Sequence, residues 1–139
     1  MRPKIRKQKS VKVKQAQALE VDKQAVEILR ELKNEEAFNF YEDIGKPTGE
    51  SAKSLSEFLN KITTAKLESL QFHLERKDFQ KWIKGTLGDS KLAEMMETVT
   101  PTNDEKLRTK IQRIIQNRLQ ELKDSFMTIE VKEPLTIKK

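Results

Sequence analysis

The chain has 139 residues, 35% hydrophobic and 36% charged, with a formal net charge of +6 and no cysteine. That length makes one domain the natural expectation, with a modest core under a heavily charged surface. The missing cysteine excludes disulfides, thiolate metal sites and thiol nucleophiles at once, and it fits a reducing, cytoplasmic setting.

In chain order, the first element is a basic arm, residues 1–18. Arg2, Lys4, Arg6, Lys7, Lys9, Lys12 and Lys14 fall within the first fourteen residues, with no acid among them. Taken from 28 basic and 22 acidic residues in the whole chain, those seven leave 21 basic against 22 acidic, a net of −1. The positive charge therefore belongs to the arm, and the body is neutral. A basic tether on a neutral body points to phosphate contact by the arm while the body does something else. Pro3, and Val11 and Val13 alternating with lysines, do not favour a helix here. No apolar run of about 7–15 residues follows, so a secretory signal is not expected. Nothing approaches the ~20 apolar residues of a membrane span, and no amphipathic aromatic face accompanies the arm, so no membrane partner is expected.

A helical domain is expected over residues 19–125. Asp22 is read as an N-cap, and Val21, Ala25, Ile28, Leu29 and Leu32 form one apolar stripe of a helix fading near Asn34. Phe38, Phe40 and Tyr41 are strand-prone, and Gly45-Lys46-Pro47-Thr48-Gly49 is a strong turn signal, so a short hairpin or ordered aromatic loop is expected. Ser54-Leu55-Ser56-Glu57 is a capping box opening a helix with Leu55, Phe58, Leu59 and Ile62 on one face. Thr63-Thr64 breaks it and is a candidate cap for the next helix, where Leu67, Leu70 and Leu74 continue at helical spacing. Asp78 is read as the N-cap of a short helix bearing Phe79, Trp82, Ile83 and Leu87, with Gly88 ending it in the left-handed conformation. Asp89 or Ser90 caps a helix with Leu92, Met95, Met96 and Val99, which Pro101 stops. Thr102-Asn103-Asp104-Glu105 is a second capping box, opening the longest helix on Leu107, Ile111, Ile114, Ile115, Leu119 and Leu122. Residues 126–139 are expected to form a tail, extended on the body around Thr128–Val131.

The stretch Ser69-Leu70-Gln71-Phe72-His73-Leu74-Glu75-Arg76-Lys77-Asp78-Phe79-Gln80-Lys81-Trp82-Ile83, followed by Leu87-Gly88-Asp89 and Leu92-Ala93, resembles a small, mainly archaeal, prokaryotic domain family of unknown function. Short proteins of ammonia-oxidising archaea are the most similar. The resemblance includes the aromatic patch at Phe38–Gly49 and the Ser-Leu-x-x-Phe helix after it, covering roughly residues 37–123. It leaves out the basic arm and the last fifteen residues or so. It implies a compact, mainly helical domain and no reaction.

His73 is the sole histidine. It could act as a general base or metal ligand oriented by a carboxylate. A hydrogen-bonded histidine at a helix junction is favoured, because a catalytic metal site usually takes three protein ligands and no second histidine or cysteine exists. Asp78 is better explained as a cap, worth ~1 kcal/mol, than as a catalytic carboxylate. Arg76 is placed to pair with Asp78 or Asp89. Phe38, Phe40 and Tyr41 are a candidate interaction surface of the kind that stacks bases, although such a cluster more often fills a core. Trp82 and Phe79 read as core. Gly45–Gly49 lacks the order of a phosphate-binding loop.

Together these features predict a mainly α fold, about five helices with a small hairpin or aromatic loop and a basic N-terminal arm. The expected function is a non-enzymatic, nucleic-acid-associated protein, with RNA favoured over DNA and the ribosome as a candidate setting. Arm residues Arg2, Lys4, Arg6, Lys7 and Lys9 would pair phosphates, with arginine giving the better bidentate geometry. The alternative is a protein-interaction adaptor whose arm docks an acidic protein surface. No cofactor or metal is expected.

Overall fold

The apolar spacing after Asp22 becomes helix α1, seen over residues 23–29, with Ala25 and Ile28 buried. The computed structural model describes residues 23–138, and side chains as far as Ser125. The basic arm and the Asp22 cap lie outside the described residues. Helix α1 stops before Arg30, short of Asn34, because the next backbone groups are claimed elsewhere: the Leu32 amide donates to the Lys53 carbonyl at 2.7 Å. A 3-10 turn, Asn34–Glu36, then leads into the hairpin.

Strand β1 (Phe38–Asp43) pairs antiparallel with β2 (Lys46–Ala52), with Phe38 opposite Ala52 and Asn39 opposite Ser51. The reversal is tighter than the expected Gly45–Gly49 turn. It occupies Ile44 and Gly45, where Gly45 takes φ +73°, and Lys46 to Gly49 belong to β2. Pro47 is tolerated because the hairpin has two strands only, so one side of β2 needs no N–H. The register is irregular between Asn39 and Tyr41, where β2 carries the extra residues, and again between Tyr41 and Asp43, where β1 does.

Helix α2 (Leu55–Thr64) starts as its capping box predicts. Ser54 Oγ accepts from the Glu57 amide at 3.1 Å, and Glu57 Oε1 reaches back to the Lys53 amide at 2.7 Å. Its face of Leu55, Phe58 and Ile62 is fully buried. Thr63 and Thr64 close α2 but do not cap α3 (Leu67–Glu75), whose N-cap is Lys66 without a side-chain bond. Helix α4 (Asp78–Trp82) passes into one π turn, Ile83–Leu87, ended by Gly88 at φ +82°. Asp89 caps α5 (Ser90–Glu97) through the Leu92 amide at 3.1 Å.

Helix α6 (Glu105–Lys138) begins after Asp104, which accepts from the Lys106 amide at 3.1 Å, so the cap falls two residues past Thr102. Thr102 supports it through its hydroxyl, 3.0 Å from Asp104 Oδ1. The segment expected to be extended, Thr128–Val131, is part of α6. Each residue added to a helix brings its own backbone hydrogen bond, whereas an extended segment needs a strand to pair with.

Phe38, Phe40, Phe58, Phe79 and Trp82 form one aromatic core, with Phe38 edge-on to Phe40 at 4.9 Å and to Phe58 at 5.5 Å. The α6 face of Leu107, Ile111, Ile115, Leu119 and Leu122 covers this core through α2, α3 and α5. Among the described residues no helix is long and apolar enough to cross a membrane. The architecture is mainly helical with one small antiparallel hairpin.

Candidate functional site

A cleft of about 430 Å³ lies between β1, the hairpin tip, α3 and α4. Phe38 and Trp82 form its apolar floor, and Tyr41, Phe72, Arg76 and Asp78 line its walls. The cleft exists because the chain reverses sharply between α3 and α4. Lys77 takes the left-handed conformation at φ +64°, the sole non-glycine residue with positive φ among the described residues. That reversal brings Asp78, the first residue of α4, back over the last turn of α3.

Asp78 therefore does not cap α4, since Lys77 holds that position without a side-chain bond. Its carboxylate is turned to other groups. His73 Nδ1 donates to Asp78 Oδ2 at 2.8 Å, and Arg76 Nε donates to the same oxygen at 3.2 Å. On its other side, His73 Nε2 accepts from the Tyr41 backbone amide at 2.8 Å. A backbone amide can only donate, so Nε2 carries the lone pair and Nδ1 the proton. The imidazole is 3% exposed and ringed by Phe38, Phe72 and Phe79. Burial pushes its pKa below 6.5, with the Asp78 hydrogen bond and charge pulling the other way. The neutral form is the one that satisfies Tyr41.

This geometry gives His73 no free nitrogen with which to accept a substrate proton. It locks the loose edge of β1 onto α3. Among the described residues no group of three or more His, Asp or Glu side chains is placed to hold a metal ion.

Of its two expected partners, Arg76 is paired with Asp78 and not with Asp89. Its guanidinium carbon stands 5.0 Å from the centroid of the Phe72 ring. Asp89 is held by Arg118, from α6, with Nε at 2.7 Å from Oδ2 and Nη2 at 3.1 Å from Oδ1. Sequence reasoning missed both arrangements. Phe72 and Arg76 were within reach of it, because four-residue spacing stacks two side chains on one helix face. Arg118 carries no local signal, lying 29 residues from its partner.

The aromatic cluster divides. Phe38 and Phe40 are 6% and 2% exposed and cannot form the interaction surface expected of them. On β1 they alternate inward and fill the core. Tyr41, half-buried, lines the cleft. Trp82 is core, as expected, with its indole N–H donating to the Glu36 carbonyl at 2.9 Å. The basic side chains Arg2, Lys4, Arg6, Lys7, Lys9, Lys12 and Lys14 all lie outside the described residues.

The profile of a family of unknown function, DUF5752, matches residues 35–135. The chain belongs to this family. The matched span contains every residue lining the cleft and stops short of the basic arm. No curated protein and no solved structure matches the chain.

Proposed function

We propose that this protein is a non-enzymatic, RNA-associated binding protein of the archaeal cytoplasm, anchored through its basic arm, with the ribosome or another ribonucleoprotein as its setting. One observation carries this: seven basic residues and no acid in the first fourteen, on a body whose remaining charges sum to −1. Such a segment draws its affinity from displaced counterions and reads no base sequence. The closed hydrogen bonding of His73 supports binding over catalysis, since both of its nitrogens are engaged. An adaptor reading, in which the arm docks an acidic protein surface, has one observation in its favour: Ile44 at the hairpin tip is 77% exposed beside the cleft.

Capture from native lysate separates the two. RNA should co-purify with the full chain, raising its 260/280 nm absorbance ratio, and should be lost after RNase treatment or a high-salt wash. A protein partner that survives RNase, with no nucleic acid bound, would favour the adaptor. DNA in place of RNA would keep the polyanion contact and move the setting to the chromosome.

A further inference from the structure

Arg76 is a half-exposed arginine held by two contacts. Its guanidinium carbon sits over the Phe72 ring at 5.0 Å from the centroid, and its Nε donates to Asp78 at 3.2 Å. Asp78 is held by buried His73, and His73 by the Tyr41 backbone amide. Tyr41, His73, Asp78 and Arg76 thus form one relay from the hairpin to the cleft wall. No hydrogen bond joins either Nη group of Arg76 to another described residue. A solvated arginine needs no such support. A guanidinium packed on an aromatic ring and held at Nε is suited to serve as a stacking platform.

We infer that this cleft receives one nucleobase of the bound polynucleotide, stacked on the Phe72–Arg76 pair, an inference that rests on the polyanion reading above. Three features favour a base over a phosphate or an apolar side chain. First, the cleft carries no surplus charge: Arg76 is paired with Asp78, and His73 is neutral, so a phosphate is favoured less there than on the arm. Second, its floor is apolar, which suits the ring faces. Third, its rim bears the Asn39 amide, the Tyr41 hydroxyl and the Arg76 Nη groups, none hydrogen-bonded to another described residue. A nucleobase carries donors and acceptors around an aromatic plane and can use all three, whereas a hydrocarbon side chain can use none. At about 430 Å³ the cleft falls in the usual range of ligand pockets, about 300–1,000 Å³. Bases splayed from single-stranded RNA are ordinarily held this way, on aromatic rings or arginine planes.

Trp82 is the sole tryptophan and lines the cleft, so its fluorescence reports occupancy. The test titrates the full chain with two single-stranded decamers of equal charge, oligoadenylate and an abasic oligonucleotide. Both should bind with affinity falling as salt rises. Oligoadenylate should bind about tenfold more tightly, and it alone should change Trp82 emission. Arg76→Lys keeps the charge and removes the plane. Arg76 is 52% exposed, so the substitution opens no core. This variant should bind both decamers equally, at the abasic level. Equal binding of the two decamers by the unaltered chain, without a change in Trp82 emission, would overturn the stacking inference and leave the arm's role standing. A preference for oligoadenylate that persists in Arg76→Lys would also overturn it. Binding of neither decamer would overturn the polyanion reading and this inference with it.

Discussion

His73 shows how a single residue can carry the chemistry of an active site and do structural work. A lone histidine beside a carboxylate has the outward form of a general base, yet its accepting nitrogen is spent on the Tyr41 amide. His73→Ala would leave that amide unpaired and Asp78 with Arg76 as its remaining partner, and should cost about 3 kcal/mol, read by chemical denaturation. His73→Gln can present one acceptor and one donor and should cost less. A pH dependence follows from the same burial. The unfolded chain takes up the His73 proton near pH 6.5, and the folded chain resists until lower pH. The contribution of this group to stability is therefore complete above about pH 6.5 and is lost as pH falls below it. The stability advantage of the native chain over His73→Gln should shrink between pH 7 and pH 5. An advantage that grows on acidification would show that the folded state holds a charged imidazole.

Lys77 belongs to the same scale. A side chain in the left-handed region costs roughly 1 kcal/mol, and the Lys77–Glu97 ion pair at 3.1 Å is too exposed to offset much of that. Lys77→Gly should be neutral or stabilise by up to ~1 kcal/mol, and a clear loss would mean that the ion pair matters more than the backbone.

Among elements, the junction of α5 and α6 depends on one buried charge. The Asp89 side chain is 1% exposed, caps α5 and is gripped by both arms of the Arg118 fork. Arg118→Met would strand that carboxylate, and the loss should be about 3–5 kcal/mol. Adding Asp89→Asn should recover part of it, since a neutral amide still caps the helix. Full additivity of the two changes in a double-mutant cycle would show that they are not coupled. The aromatic core supplies a second comparison. Trp82 touches Phe38 and Phe58 and is 8% exposed, so Trp82→Ala should cost roughly 3–5 kcal/mol. Water-like emission from Trp82 in the native protein would contradict its placement.

For the whole molecule, the net positive charge is concentrated in the first fourteen residues. The family match begins at residue 35, well past the arm. Deleting residues 1–14 should leave the thermal transition nearly unchanged while affinity for single-stranded RNA collapses. With about five of the seven charges engaged, the slope of log K against log salt for the full chain should be roughly −3.5. An unchanged affinity in the truncated chain would move the adaptor reading to first place.

Helices were the most legible part of this sequence, because each advertises itself locally. A cap such as Ser54 or Asp89, a stripe at three- and four-residue spacing and a terminating Gly88 all lie within one or two turns of what they control. The hairpin was legible as a hairpin, but its turn moved to Ile44–Gly45, since strand register is set by which side chains reach the core. The division of charge between arm and body was likewise a property of the sequence alone. The cleft was not. It required the left-handed Lys77 to fold Asp78 back onto His73, and β1 to present Tyr41 from 32 residues away. Local spacing determines which elements form. Only their packing decides whether a histidine beside an aspartate meets a substrate or a backbone amide, and whether an aromatic residue faces the core or a cleft.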